Sequence, residues 1–343
     1  NADDAGATEV KFLLDWRRNE HTAHNLLSDG MKACHGPALW AYNDARFSKD
    51  DFKNICSIAA QSKKHQLDKV GRFGLGFTSV YHLTDVPSVV SGPYVLICDP
   101  RTIHLGSRVN PGQPGIKLDL TNRHHRRTLR TYPNQFQPYN GIFGCDLQAS
   151  TTGFEHTLFR LPLRTKDEAD SHQPNQLSDF ICDSKDRVLP LIESLKTSAA
   201  TLLLFTQNVV HICLQERSEN DSDIENIMSV TVSRVQQMPR SISPVPNEAD
   251  FGTERNLLRA TTAHMNDPGL PVPDTTMIVN VTQATSDSDE NTEDQQVKDW
   301  YFITSSCMTR GECLELARTP KGQKAGVLPC GGVAAQLSAS KGG

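Results

Sequence analysis

Three closely spaced glycines are the feature that most constrains this 343-residue sequence. They lie in the segment Gly71–Gly76, at positions i, i+3 and i+5, and an apolar run through Leu83 follows them. Glycine permits positive backbone angles and close approach, so successive N–H groups can point into one concavity. The run predicts a helix whose N-terminus favours an anion such as phosphate. Alone, the pattern is more often a structural turn, and it lacks the G-K-[ST] of a P-loop.

Alternating element types in the first part of the chain predict an α+β fold. A helix is predicted after Ser48, which is followed three residues later by Asp51 as in a capping box. Strands are predicted at residues 9–15, 37–42, 94–98 and 157–163. We expect a two-layer α/β sandwich, a mixed sheet covered by helices on one face, over residues 1–165.

The remaining residues, 166–343, predict part of a second α/β domain after a polar linker at 166–177. Its predicted elements are a helix at residues 188–198 and strands at 201–205, 209–214, 300–304 and within 326–337. Residues 286–294 (SDSDENTED) are acidic and contain no apolar side chain, so a disordered loop is predicted there.

Composition excludes several classes of protein. No apolar run reaches the roughly 18 residues of a membrane-spanning helix, and a formal net charge of -5 argues against general binding of nucleic-acid phosphates. The one basic cluster, Arg123–Arg127, is predicted to be a surface loop. Nine cysteines without a C-x-x-C pair predict neither a disulfide framework nor a zinc site, but free thiols in a reducing, cytoplasmic compartment.

Several motifs in order resemble the GHKL nucleotide-binding domain, which gyrase, the ninety-kilodalton heat-shock chaperones, histidine kinases and MutL share. Within that superfamily the sequence is similar to the repeat region of the sacsin family. The similar runs are NADDAGAT (Asn1–Thr8), GPALWAYNDARFS (Gly36–Ser48), GRFGLGFTSVYHLTDVPSVVSG (Gly71–Gly92) and TLFRLPLRT (Thr157–Thr165). The similarity is strong in the first half and looser beyond about residue 215.

The resemblance implies a set of nucleotide-binding residues. Asn1 would help to hold Mg²⁺ on the phosphates, with Asp4 and Ala5 beside it, because an amide oxygen suits this hard cation. Either Asn43 or Asp44 would contact the adenine amino group, since the family's D-x-G-x-G pattern is missing here. Thr157 would also reach adenine, and residues 61–69 would form a lid. The N–H groups around Phe73 to Phe77 would bind phosphate. They belong to the glycine segment Gly71, Arg72, Phe73, Gly74, Leu75, Gly76 and Phe77.

The resemblance further implies an ATP-binding chaperone or co-chaperone module. It would bind Mg-ATP, and closure of the lid would signal to the following domain. Its partners would be ATP or ADP and client proteins or other chaperones, without nucleic acid or membrane. Whether it is a slow ATPase is left open, because the family's general base is a glutamate four positions before the residue that matches Asn1, a position expected to lie outside this sequence. The alternatives are a GHKL-fold scaffold that does not hydrolyse ATP, and a nucleic-acid-processing GHKL enzyme.

Overall fold

The computed structural model describes most of the chain. The described residues are 1–56, 75–110, 113, 115–150, 152–170, 177–220, 223–237, 261, 263, 265, 267, 274–285, 295–307, 311–325 and 330–340. The predictions for the lid, for Gly71–Gly74 and for the acidic loop at 286–294 lie outside these residues.

One mixed sheet of eleven strands organises the described residues. The strands are β1 (Glu9–Asp15), β2 (Ala38–Asn43), β3 (Ser88–Gly92), β4 (Tyr94–Cys98), β5 (Gly115–Asp119), β6 (Phe154–Pro162), β7 (His211–Arg217), β8 (Glu225–Gln237), β9 (Asp274–Thr285), β10 (Gln295–Cys307) and β11 (Cys330–Ser340). Their order is β11-β10-β9-β8-β7-β1-β2-β6-β3-β4-β5. Among the described strands, β1 and β7 pair in parallel, and every other pair of neighbouring strands is antiparallel.

Eight α-helical segments accompany the sheet in the described part of the chain. They are α1 (Lys49–Cys56), α2 (Leu75–Thr78), α3 (Arg123–Thr131), α4 (Pro133–Phe136), α5 (Lys166–Ala169), α6 (Lys185–Leu204), α7 (Glu312–Arg318) and α8 (Pro320–Ala325). The chain is therefore α+β, with a large mixed sheet and several helices, which is compatible with an α/β sandwich. No described helix has both the length and the apolar character that a membrane span needs.

Side chains alternate between the two faces of the sheet, and both faces are covered. On one face, Trp40 of β2 packs in a core cluster with Leu129 of α3 and Phe136 of α4. On the other face, Phe12 of β1 packs with Leu203 of α6. Helices were predicted on one face only, but α3 and α4 bury apolar side chains against the face opposite α6.

The first and second parts of the chain are joined by the sheet itself. β7 pairs in parallel with β1 along its whole length, from Glu9 opposite His211 to Asp15 opposite Arg217. The sheet thus continues without interruption across the boundary that we predict at residue 165. The division into two domains remains a prediction.

Two local predictions are wrong. Residues 201–205, predicted as a strand, form the last turn of α6 and its C-cap, because Ala199 and Leu203 are fully buried one helical turn apart. A short apolar run does not distinguish a strand from a buried helical turn. Arg123–Arg127, predicted as a surface loop, opens α3, whose first turn is capped by the Asn122 side chain accepting from the N–H of His124.

Candidate functional site

Three polar side chains form a row across neighbouring strands at one end of the sheet. The register places Asn43 of β2 opposite Thr157 of β6, and Thr157 opposite Ser91 of β3. Because side chains alternate along a strand, this row shares a face with Phe159, two residues further along β6. All three residues are buried, with Ser91 and Thr157 fully so. We call Asn43, Thr157 and Ser91 the polar row.

The polar row holds the segment that follows β2. The Phe47 N–H donates to Ser91 Oγ at 2.9 Å, Ser91 Oγ lies 2.9 Å from Thr157 Oγ1, and Thr157 Oγ1 donates to the carbonyl oxygen of Ala45 at 2.8 Å. The single proton of Thr157 goes to Ala45, so the Ser91 hydroxyl must donate to Thr157. The two hydroxyl groups are therefore satisfied by a continuous series of hydrogen bonds, from the Phe47 N–H to the Ala45 carbonyl, that fixes residues 45–47.

Asn43 keeps part of its hydrogen-bonding capacity. Its Oδ1 accepts from the Ala45 N–H at 3.2 Å. Among the residues that the structure describes, none accepts a hydrogen bond from its Nδ2. The Nδ2 group can therefore donate to a ligand or to water. Asn43 is therefore the member of the polar row that is equipped to bind a further group.

Asp44 has a different role, which is to fasten the beginning of β1. Its Oδ1 accepts from the N–H groups of Thr8 at 2.8 Å and Glu9 at 3.1 Å, and its Oδ2 accepts from the Thr8 hydroxyl at 2.5 Å. Partial burial by itself would raise the pKa of the Asp44 carboxyl, but these hydrogen bonds outweigh it and lower the pKa below its ordinary value.

This arrangement predicts a pH-dependent contribution to stability. A carboxyl whose folded pKa is lowered stabilises the fold above the unfolded pKa of about 3.9 and loses that contribution as the pH falls through the folded pKa. We expect Asp44→Asn to lower the free energy of unfolding by about 1 kcal/mol at neutral pH, a value discounted for partial exposure. Urea unfolding at a series of pH values measures this difference, which should shrink in acid.

The matched control is Asp29→Asn, because the Asp29 side chain is 98% exposed and its ion pair is with the neighbouring, exposed Lys32. It should change stability little at any pH. An Asp44→Asn deficit that persists unchanged in acid would contradict the assignment.

The N-terminal turn, a short 3₁₀ helix at Asp3–Ala5, docks on the connection between α6 and β7. The Asp3 carboxylate accepts from the backbone N–H groups of Gln207, Asn208 and Val209, at distances between 2.7 and 3.0 Å. Asp4 is buried beside it, whereas Asn1 is exposed. The turn therefore links the end of the sheet that carries the polar row to the second part of the chain.

The helical region after the glycines reaches the same face of the sheet. Phe77, in α2, packs against Phe159 with ring centroids 6.4 Å apart and meets Tyr81 edge-to-face at 6.1 Å. Phe159 lies two residues from Thr157 on β6, so α2 lies near the polar row. Leu75 and Gly76 belong to α2.

The structure thus brings together four of the predicted site segments. Asn43, Asp44, Thr157 and Phe77 meet at one end of the sheet, and the hydrogen bonds from Thr8 to Asp44 attach the N-terminal turn to them. Ala5 is exposed on that turn.

Two important residues are not among the predicted site residues, although both lie within the similar runs. Ser91 completes the polar row, and Asp3 holds three backbone N–H groups of a segment about 200 residues away. A polar residue two positions after Val89, on the face where the strand pattern requires apolar side chains, is the signal that could have identified Ser91. The role of Asp3 depends on a contact that no local pattern contains.

Comparison with known proteins supports the resemblance to the sacsin family. A solved structure described as the N-terminal domain of a DNA repair protein aligns with 88% of this chain and 64% of its own length, at 10% identity. Its TM-score of 0.31 is too low to show a shared fold. Human sacsin is 30% identical over an alignment 378 positions long that covers 98% of this chain, and the chain spans 8% of the length of that relative. The family model described as "Sacsin domain" matches residues 1–229. The chain therefore belongs to the sacsin domain family.

Proposed function

We propose that this chain is a GHKL-type module that binds Mg-ATP at the polar row, between the sheet and the helices on its α6 side. The observation that carries the proposal is that separate motif segments meet. Asn43 and Thr157 lie on one face of the sheet, and Phe77 packs on that face against Phe159, which is two residues from Thr157. The N-terminal turn is fastened to this end of the sheet through Asp44. This is the set of segments that the GHKL resemblance requires to meet.

The contacts favour Asn43 over Asp44 as the residue that binds adenine. The Asp44 carboxylate is engaged by three donors from Thr8 and Glu9. Asn43 Nδ2 has no acceptor among the described residues, and an amide can both donate to a ring nitrogen and accept from the exocyclic amino group of adenine. Thr157 would act by holding Ala45, the residue to which Asn43 is bonded.

The phosphates and the cation would be held by residues before and within the glycine segment. The exposed side chain of Asn1 offers an oxygen ligand, which suits Mg²⁺, and this cation would neutralise charge on the phosphates. The N–H groups of Gly71–Phe77 would bind the phosphate oxygens. The contact from Asp3 to residues 207–209 would then transmit any movement of the N-terminal turn to α6 and β7.

Thermal and urea unfolding test the binding of nucleotide. A ligand that binds only the folded state at 100 times its Kd raises the free energy of unfolding by about 2.7 kcal/mol. We expect such stabilisation with ATP and Mg²⁺ together, and a smaller one with ATP and a chelator. Mg²⁺ alone and Mg-GTP at the same concentration are the controls. Equal unfolding with and without millimolar Mg-ATP would contradict the proposal.

A second candidate is a GHKL-fold scaffold that contacts client proteins or other chaperones without using nucleotide. The series of hydrogen bonds through Ser91 and Thr157 favours the scaffold, because both hydroxyl groups are fully buried and already satisfied. Titration calorimetry with ATP and with ADP separates the two candidates. Heat in either titration favours the nucleotide-binding module, and none in both favours the scaffold.

A further inference from the structure

A cysteine, a histidine and a glutamate from three distant segments come together at the opposite end of the same strands. Cys34 precedes β2, His104 follows β4 and Glu168 lies in α5 after β6, and their ligand atoms all lie within 4.8 Å of one another. The polar row lies where β2 ends and β6 begins, about 17 Å away along a strand at 3.4 Å per residue. The two sites are therefore separate.

The spacing of Cys34 and His104 suits a tetrahedral cation. Cys34 Sγ and His104 Nδ1 are 3.3 Å apart, and the same nitrogen lies 3.2 Å from the carbonyl oxygen of Gly30, a contact that metal binding would replace. Two ligands of a tetrahedral zinc ion, with bonds of about 2.0 to 2.3 Å, lie about 3.5 Å from one another. Cys34 is 3% exposed and His104 is 8% exposed, and Glu168 is half-buried. Thiolate, imidazole and carboxylate are the three ligand types that zinc accepts.

Neighbouring groups hold two of the three ligand residues. The Oε2 of Glu168 accepts from the Thr165 N–H at 2.8 Å and from the Thr165 hydroxyl at 2.9 Å. The Asp99 carboxylate accepts from the backbone N–H groups of His104 and Leu105, at 2.9 and 2.7 Å. Such outer contacts fix metal ligands in many proteins.

The nearby Asp99 carboxylate has one oxygen without a partner among the described residues. Asp99 is fully buried, and its Oδ2 holds the backbone of His104 whereas its Oδ1 accepts no hydrogen bond from them. A buried carboxylate oxygen of this kind is usually completed by water or an ion. Water bound to a cation at His104 is one group that could complete it.

A nucleophilic role for the Cys34–His104 pair fits less well. A nucleophilic cysteine needs access for its substrate. Cys34 is 3% exposed, so a substrate could not reach its sulfur atom.

We propose that Cys34, His104 and Glu168 bind one Zn²⁺ ion, with water in the fourth position. The ion would join three segments that are far apart in sequence, at the end of the sheet opposite the polar row. Its binding free energy would then add to the stability of the fold.

The test uses the whole chain, stripped of metal with a chelator and titrated with Zn²⁺ against a chromophoric competitor. One equivalent should bind, and Co²⁺ in its place should give the charge-transfer absorption of a cobalt–sulfur bond. Cys34→Ala should abolish that absorption, and Glu168→Gln should weaken Zn²⁺ binding by at least about 100-fold, since even outer contacts contribute 10- to 100-fold. Cys145→Ala, at another buried cysteine of the same core cluster, is the matched control and should change neither reading.

Each result decides the proposal. Absence of stoichiometric Zn²⁺ binding would overturn it, as would a cobalt–sulfur absorption that survives in a folded Cys34→Ala chain. If circular dichroism shows that Cys34→Ala does not fold, Glu168→Gln decides, because it changes a half-buried residue on a short helix. Wild-type Zn²⁺ affinity in that variant would overturn the proposal.

Discussion

Replacement of Arg164 by leucine is expected to lower the free energy of unfolding by about 3–5 kcal/mol. The Arg164 side chain is fully buried and pairs with Asp85, with Nη2 2.5 Å from Oδ1. Its other guanidinium hydrogen bonds go to the carbonyl oxygens of Tyr81, His82 and Phe180. Removal of the guanidinium leaves Asp85 without its closest cation and leaves three carbonyl groups without this donor.

The effect of Arg164→Leu should extend to the candidate nucleotide site. Tyr81 and His82 follow α2, so this guanidinium attaches the segment after the glycines to the end of β6. Urea unfolding measures the loss of stability, and a folded fraction at low urea should also bind Mg-ATP more weakly.

Two variants control this prediction. Arg18→Leu removes an exposed pair with Glu219, at 2.9 Å, and should cost less than about 1 kcal/mol. The double variant Arg164→Leu with Asp85→Leu should be less unstable than the sum of the two single variants, because neither Arg164 nor Asp85 is then left buried without the other. A loss below 1 kcal/mol for Arg164→Leu alone would contradict this account of the pair.

The second large effect concerns nucleotide affinity. We expect Asn43→Leu to weaken Mg-ATP binding by about 10- to 100-fold, because the variant loses both the donor and the acceptor that would pair with adenine. Asp44→Asn should retain affinity within a few-fold, since the Asp44 carboxylate contacts Thr8 and Glu9 instead. Titration calorimetry measures both variants.

The control for Asn43→Leu is Asn280→Leu, on β9 and several strands away from the polar row. It should bind Mg-ATP like the wild type. If Asn43→Leu binds Mg-ATP with wild-type affinity, or if Asp44→Asn loses that affinity, the adenine contact belongs to Asp44 instead of Asn43.

Elements with a strong local pattern could be predicted from the sequence. β1 and β4 begin and end at the predicted residues, because their apolar runs are bounded by turn residues. The helix predicted after Ser48 is confirmed as α1, and the Ser48 and Asp51 side chains bond to one another's backbone N–H groups. The end of α6 could not be predicted, because its short apolar run is compatible with either element.

The candidate sites were less accessible to sequence analysis for a different reason. Motifs indicated that Asn43 and Thr157 lie near strand ends, but only the register shows that they are opposite one another with Ser91 beside them. Cys34 and Glu168 are 134 positions apart in the numbering, so no metal-binding spacing relates them. Tertiary pairing, rather than local sequence, assembles both sites.

An experimental structure of this chain with Mg²⁺ and a non-hydrolysable ATP analogue tests the proposed nucleotide site most directly. We expect adenine against Asn43 on the α6 side of the sheet, with the phosphates directed to the segment Gly71–Phe77. A structure in which the nucleotide lies elsewhere, or in which this site stays filled by the chain's own side chains at saturating analogue, would contradict it.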